Sequence, residues 1–373
     1  MNRRPLSFLL FVFFALLFFA LVPAPALAQI APKSGYEAEN LPDPDLAPMP
    51  WVSSMAYYDG RLIYAGSDGN VRAFDPDTGV SEIVADLSGD LNFMFGPSGF
   101  LVSDDGYLYF GDNGNTKSVY RLWLSDRWPA DAHTLATGAS GSIFSFAQNP
   151  GTHTIWFASA DFGGGNMYLY EVPLAFNSAA VKQAEFTAPH GGGSGPIIFI
   201  DATTVLYGES PFGGDGYFHL LDLDAAAREV LTVDYLVFDG GLAGAVHGFD
   251  DKIYVSTGAG MKVYRIDGPD MKLVATTDQD AQGLAFDGET LFLSLQKPWR
   301  NLPDDGEISF GAITEKPDTG GGGGGGGGCF VRSTAGEIPK AGALSVLLCL
   351  AGALLATMAV RAAGRGRSRP RVD

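Results

Sequence analysis

Cysteine is nearly absent from this chain of 373 residues: there are two, Cys329 and Cys349, both near the C-terminal end. No disulfide can therefore form within residues 29 to 319, and no Cys-x-x-Cys pair is available there for zinc, iron or haem. That region must be held by its own apolar core. Basic residues are also scarce, 24 Lys and Arg against 42 Asp and Glu, for a net charge of −18. Several of the basic residues sit at the two ends (Arg3, Arg4, Arg361, Arg365, Arg367, Arg369 and Arg371), so the middle of the chain is more acidic still. That balance argues against nucleic acid as a partner, because phosphates require Lys and Arg to displace counterions. The same balance argues against anionic membrane surfaces and acidic glycans. No stretch sustains a helical period, which removes α/β architectures. Gly-x-Ser-x-Gly, His-Glu-x-x-His and a strict EF-hand loop are missing as well.

Long apolar runs occur twice, one near each end. Arg3 and Arg4 precede Leu6 to Val22, and Ala26-Leu27-Ala28 supplies a small-residue cleavage site. This is the layout of a secretory signal peptide, residues 1 to 28, cut after Ala28; an uncleaved anchor is the other reading of the same run. Residues 29 to 319 then form an exported domain. Nine glycines, Gly320 to Gly328, run into Cys329 and open a linker over 320 to 340, a composition that makes a flexible spacer. Ala341 to Val360 carries no charge and has about the twenty residues that cross a hydrocarbon core as a helix. The arginines of the tail, residues 361 to 373, keep that end in the cytoplasm by the positive-inside rule. The expectation is an ectodomain tethered to a membrane through its C-terminal span.

Within the ectodomain a unit recurs roughly every 40 to 50 residues. Each copy is an apolar strand, a tight turn and a second strand. Copies begin near Ser54, Gly99, Ile143, Pro196, Gly244 and Gly283. Third strands follow at Val71 to Phe74, Val119 to Trp123, Met167 to Val172, Tyr217 to Leu221 and Lys262 to Ile266. Fourth strands follow at Val80 to Val84, Val181 to Phe186, Arg228 to Val233 and Lys272 to Ala275. Six such units of about four strands, with strand pairs joined at Asp-Gly or Asp-Asp turns, predict an all-β fold, a six-bladed β-propeller. The sixth unit is short, with only Ile308 to Ile313 after its second strand. A segment between Gln29 and Leu46 is expected to supply the missing edge strand and close the ring.

On these repeats, and on Asp75-Pro-Asp-Thr-Gly79 as the turn between outer strands, residues 51 to 313 resemble the YVTN/NHL/gluconolactonase-like group of propellers. The resemblance implies the architecture, and this superfold carries enzymes, receptors and scaffolds alike. A gluconolactonase would need a Glu, Asn and Asp triad around a divalent ion, and the residues here do not assign those positions. Asp112-Asn-Gly-Asn-Thr116 matches part of a sialidase Asp-box, but Lys117 stands at its aromatic position and the box does not recur. Residues 320 to 373 resemble bacterial Gly-Cys C-terminal sorting signals, which implies a sorting protease and marks Cys329 as a processing or lipidation residue. A plain single-span anchor with an incidental cysteine is the alternative.

Loops leading into first strands and loops between second and third strands share one face of a propeller, around its central channel. That geometry selects Asp68, Asp112, Asn113, Asp161, His190, Glu209, His247, Trp299 and Arg300. Asp112, Asn113 and Glu209 are hard oxygen ligands suited to Ca²⁺, and with His190 they make a candidate site for another divalent metal. Trp299 and Arg300 would give a stacking face and a carboxylate grip. The ordinary reading of the same acidic and glycine residues is turn formation. The favoured function is a surface-anchored module binding a small ligand, glycan or protein at the mouth. The alternatives are a divalent-metal-dependent hydrolase or lactonase and a structural surface protein.

Overall fold

The structure is a computed structural model and describes residues 29–42, 54–65, 70–87, 97–112, 117–125, 128–161, 165–173, 176–211, 213–224, 230–296 and 308–316. The chain divides into two compact units at Asp318 and Thr319, and all described residues belong to the first. The signal segment ending at Ala28, the linker with Cys329 and the apolar run 341–360 lie outside them. Among the described residues there is no α-helix, and no helix is long and apolar enough to cross a membrane.

The first two strands, β1 (Ile30–Pro32) and β2 (Tyr36–Asn40), serve blades met much later in the chain. Blade one is β3 (Ser54–Tyr58), β4 (Arg61–Ala65), β5 (Asn70–Phe74) and β6 (Ser81–Asp86). Blade two is β7 (Pro97–Val102), β8 (Tyr107–Asp112), β9 (Val119–Trp123) and β10 (His133–Thr137). Blade three is β11 (Ser142–Gln148), β12 (Ile155–Ala160), β13 (Asn166–Glu171) and, past the short β14 (Ser178–Ala179), β15 (Val181–Thr187). Blade four is β16 (Ser194–Phe199), β17 (Thr204–Glu209), β18 (Gly216–Asp222) and β19 (Val230–Phe238). Blade five is β20 (Leu242–His247), β21 (Ile253–Thr257), β22 (Lys262–Asp267) and β23 (Asp270–Thr277). Blade six is β24 (Asp280–Phe286), β25 (Leu291–Gln296) and β26 (Ile308–Glu315). All consecutive strands within a blade pair antiparallel, and the six sheets bear out the six-bladed all-β propeller.

The ring closes as the short sixth repeat predicts. β2 lies antiparallel on β26, from Tyr36 opposite Glu315 to Asn40 opposite Gly311, and becomes the outer strand of blade six. Two edge pairings were not foreseen. β1 adds a fifth strand to blade five through Ile30 opposite Thr277, and β14 runs parallel to the edge of β10. The strand β10, His133-Thr-Leu-Ala-Thr137, is also missing from the sequence reading, because only Leu135 and Ala136 of it are buried and its apolar alternation is too short to register. A polar network backs the closing strand. Tyr36 and Tyr254 share a hydroxyl contact of 3.3 Å, Arg265 reaches Tyr36 at 3.4 Å, and Tyr254 donates to Glu315 at 3.4 Å. Burial first, and then the bond with Tyr36, raises the Tyr254 phenol far above its ordinary value.

Serines stitch neighbouring blades together around the channel. Ser54 Oγ accepts the Gly99 N–H at 2.6 Å, and Ser98 Oγ donates to Ile143 O at 2.5 Å. Ser145 Oγ accepts the Ile197 N–H at 2.9 Å, and Ser256 Oγ donates to Gln282 O at 2.5 Å. First strands approach so closely that a Cβ on Gly99, at φ +68°, would lie 2.8 Å from the Ser145 backbone. These bonds satisfy backbone groups that the bulged first strands leave out of their own ladders, for example between Ser98 and Leu101. Apolar clusters fill the spaces between blades, such as Ile63, Phe100, Leu108 and Phe110 between blades one and two.

Ser54→Ala leaves the buried Gly99 N–H without its acceptor, a loss of about 1–3 kcal/mol. Thermal melting should show a midpoint several degrees lower, whereas Ser125→Ala, at an exposed position, should leave it unchanged.

The turns on the far face carry depressed carboxyls. Asp201 accepts N–H bonds from Thr203 and Thr204, both at 2.8 Å, and these hold its carboxyl below the ordinary range. Arg265 does the same to Asp267. Groups depressed in the folded state contribute stability that is present above their unfolded values near pH 4 and lost as the pH falls through the folded ones. The melting midpoint should hold level down to about pH 5 and fall below about pH 4, with a shallower fall in Asp201→Asn.

Candidate functional site

Second strands end at the mouth of the ring with a polar residue in most blades. Asp112, Glu209, Thr257 and Gln296 are the last residues of β8, β17, β21 and β25, and Asp161 directly follows β12. Asp112 and Glu209 are fully buried at 0% exposure. They are thus built into the structure rather than spread over an acidic surface. Asp161 accepts the Tyr168 hydroxyl at 2.6 Å, and this bond, ahead of burial, raises the Tyr168 phenol.

Glu209 organises its surroundings. Its Oε1 accepts the backbone N–H groups of His190 at 3.0 Å and Gly192 at 3.1 Å. Its Oε2 receives Nε2 of His219 at 3.0 Å. His219 is itself at 0% exposure, and its Nδ1 accepts the Asp234 N–H at 3.2 Å. The ring proton therefore sits on Nε2 and is donated to Glu209. Three donors on one carboxylate satisfy a buried acid that would otherwise be costly.

The anchored segment is the loop feeding β16. Gly191, Gly192 and Gly193 all have left-handed φ, from +94° to +100°. A Cβ on Gly193 would lie 2.2 Å from Ser210 O, so the loop passes too close to blade four for any side chain there. Held this way, the His190 ring stacks on Tyr217 with centroids 3.6 Å apart and planes 7° from parallel. His190 Nε2 meets Asp234 Oδ1 at 2.7 Å. Asp234 reaches it because β19 is bulged between the partners of Phe218 and Leu220, and Asp234 itself has φ +52°. Side-chain exposure is 27% for His190 and 37% for Asp234, so this pair is open to solvent while Glu209 and His219 are sealed beneath it. Burial first, then the Asp215, Asp234 and Glu209 carboxylates, raise the Tyr217 phenol.

The structure thus brings His190 and Glu209 together, and it places Asp161 beside the same loop, its carbonyl 3.4 Å from a Cβ on Gly192. Asp112 ends β8 of blade two and belongs to another stretch of the rim. His247 is not at the mouth. It is the last residue of β20, at the end away from the loop that feeds that strand, where Nε2 donates to Phe199 O at 2.8 Å and Nδ1 lies 3.1 Å from Asp251. A first-strand residue faces the mouth only if it sits near the strand's start. Asp68, Asn113, Trp299 and Arg300 lie outside the described residues. Among the described residues, no group of three His, Cys, Asp or Glu side chains is arranged to hold a metal ion.

Sequence reasoning missed His219, Tyr217 and Asp234. The available signals were a histidine inside the apolar strand Tyr217-Phe-His-Leu-Leu221 and an aspartate interrupting Val230 to Phe238. A lone polar residue on the buried face of a strand needs a partner.

No family model matches the chain, and no curated protein matches it in sequence. Solved propellers do match it in structure. The PQQ-bound form of an aldose sugar dehydrogenase from Streptomyces coelicolor aligns at a TM-score of 0.54 and 12% identity, over 77% of this chain and 100% of that one. A gluconolactonase from Xanthomonas campestris aligns at 0.54 and 17%, over 77% and 92%. A luciferin-regenerating enzyme aligns at 0.52 and 9%, over 77% and 95%. At these identities the likeness is one of fold.

Glu209→Gln places an amide N–H₂ against either the His219 N–H or the His190 and Gly192 N–H groups, so that donors meet face to face in a buried site. The expected loss is about 3–5 kcal/mol, as for a broken buried pair. Hydrogen exchange should accelerate at the amides of His190 and Gly192, ahead of the rest of the domain. Asp234→Asn, at the solvent-facing end, should leave those two amides protected.

Proposed function

We propose that this chain is an exported, envelope-anchored propeller that works as a ligand-binding module, with the ligand seated on the His190–Tyr217 platform between blades three and four. One observation carries this reading: a partly exposed ring stack sits on a loop whose backbone is anchored by a fully buried carboxylate. Pre-organisation of this kind lowers the ordering cost of binding. The carboxylates of Asp215 and Asp234 border the platform and already raise the Tyr217 phenol. The platform therefore suits a donor-rich or cationic group and repels an anion. Display outside the membrane rests on the signal-like residues 1 to 28 and the apolar run 341 to 360, with Cys329 as the processing or lipidation residue.

A second reading, a hydrolase or lactonase, is favoured by the His190–Asp234 contact. A carboxylate 2.7 Å from one imidazole nitrogen orients the ring so that the other nitrogen can serve as a general base. A divalent ion at the mouth would add a Lewis acid in this reading.

Binding and turnover separate the two readings. In the first, His190→Ala abolishes ligand-induced thermal stabilisation, and the protein turns over no lactone or ester in the presence or absence of added Ca²⁺, Mn²⁺ or Zn²⁺. In the second, a lactone is hydrolysed and His190→Ala lowers kcat by about 10²–10⁴-fold. Saturation of the module at a hundred times its Kd adds about 2.7 kcal/mol to stability, which differential scanning fluorimetry resolves. For the anchor, removal of residues 341 to 373 should release the domain in soluble form, as cell fractionation would show; retention in the membrane contradicts the tether.

A further inference from the structure

A cavity lies on the opposite face of the ring. Tyr58, Asp59 and Arg61 at the turn that joins β3 to β4, with Glu82, Leu124, Ser125 and Trp128, line this open cavity of about 370 Å³ between blades one and two. Its volume falls in the range of small-molecule sites. Its polar and apolar walls are both specific. Arg61 Nη1 is tied to Glu82 Oε2 at 2.9 Å, and its guanidinium lies 5.2 Å over the Trp128 ring. Trp128 is fixed in turn by donating Nε1–H to Leu124 O at 3.1 Å. The segment carrying it is pinned across the blade boundary by the bond from Ala130 N–H to Val84 O at 2.8 Å. A planar cation clamped between an aromatic ring and a carboxylate loses little freedom when it binds something further.

Among the described residues, only Nη1 of Arg61 has a hydrogen-bond partner, so Nε and Nη2 remain able to donate. Glu82 keeps Oε1, and the exposed Asp59 on the same rim adds a second carboxylate as acceptor. Tyr58 and Trp128 present aromatic surface beside them. The ligand must then offer hydroxyls that both donate and accept, together with an apolar C–H face for the rings. Among the described lining residues, two carboxylates stand against one guanidinium, a balance that disfavours an anion. We infer that this cavity binds a neutral saccharide of one or two rings. The site is separate from the His190 platform and does not depend on it.

Isothermal titration of the full-length protein, kept in a detergent without a sugar headgroup, tests this with cellobiose, maltose and N,N′-diacetylchitobiose, and with glucuronate as the anionic control. At least one neutral disaccharide should bind, and glucuronate should bind at least about tenfold more weakly. Arg61→Ala and Glu82→Gln should each weaken the neutral sugar by about tenfold or more, with His190→Ala without effect. Should Arg61→Ala fail to fold, Glu82→Gln carries the test, because the Glu82 side chain is 52% exposed. Absence of binding by all three disaccharides overturns the inference. So does undiminished binding in folded Glu82→Gln, equal binding of glucuronate, or loss of binding in His190→Ala.

Discussion

A ring of blades has no ends, but a chain does, and everything in this domain depends on joining them. The bond that does so is the ladder between β2 and β26, five residue pairs from Tyr36–Glu315 to Asn40–Gly311. Without it blade six would keep three strands and an open edge, and its inner face would lose the half-buried Tyr36 and Ala38 that pack on the cluster around Tyr254 and Leu293. Closure is reinforced twice. β1 continues from the same segment onto blade five, and the Arg265, Tyr36, Tyr254 and Glu315 contacts connect the two blades through side chains. A domain without a disulfide uses its N-terminal strands for the constraint that cross-links supply elsewhere.

Closure fixes the spacing between blades, and the serine bonds around the channel then set their register. Each bulged first strand leaves backbone groups facing its neighbour, and Ser54, Ser98, Ser145 and Ser256 connect those groups to the next blade. The site between blades three and four is a variation on that scheme. There the Ser145 bond is joined by the Tyr207 hydroxyl, which also spans the boundary and donates to Ser159 O and Tyr168 O, each at 3.0 Å. Beside it the same strand, β17, ends in Glu209, which captures the incoming loop. Phe186 of blade three packs edge-on against both Tyr207 and His219, so the buried polar pair sits in a dry, aromatic surround. That surround is what makes a three-donor carboxylate a firm anchor rather than a solvated turn residue.

Much of this was legible before any coordinates. Apolar strand pairs repeat with a blade's period and place the first two strands of every blade, with Asp-Gly turns between them in three blades, as at Tyr58-Asp-Gly-Arg61 and Asp105-Gly-Tyr107. The shortness of the repeat after Ser294 pointed to an N-terminal strand in blade six. Outer strands were less visible, since β10 buries only two residues and has little apolar pattern to read. The loop-face argument drew out Glu209, His190 and Asp161, which lie together around the loop feeding β16. It failed for His247, because membership of a first strand does not say which end of that strand a residue occupies. His219 and Asp234 were invisible for a different reason: their role comes from cross-strand pairing and a bulge, which depend on register rather than on local sequence. The fold likeness to sugar-dehydrogenase and gluconolactonase propellers adds the architecture and leaves the site to its own residues.

The account stands on Glu209 as the fixed point of the loop that presents His190, and the imidazole nitrogens of His219 report on it directly. A long-range ¹H–¹⁵N correlation spectrum of the imidazoles at neutral pH should show His219 as one tautomer, protonated on Nε2 with Nδ1 as an acceptor. A His219 ring averaging between tautomers, or protonated on Nδ1, would contradict the anchor and with it the rigid platform.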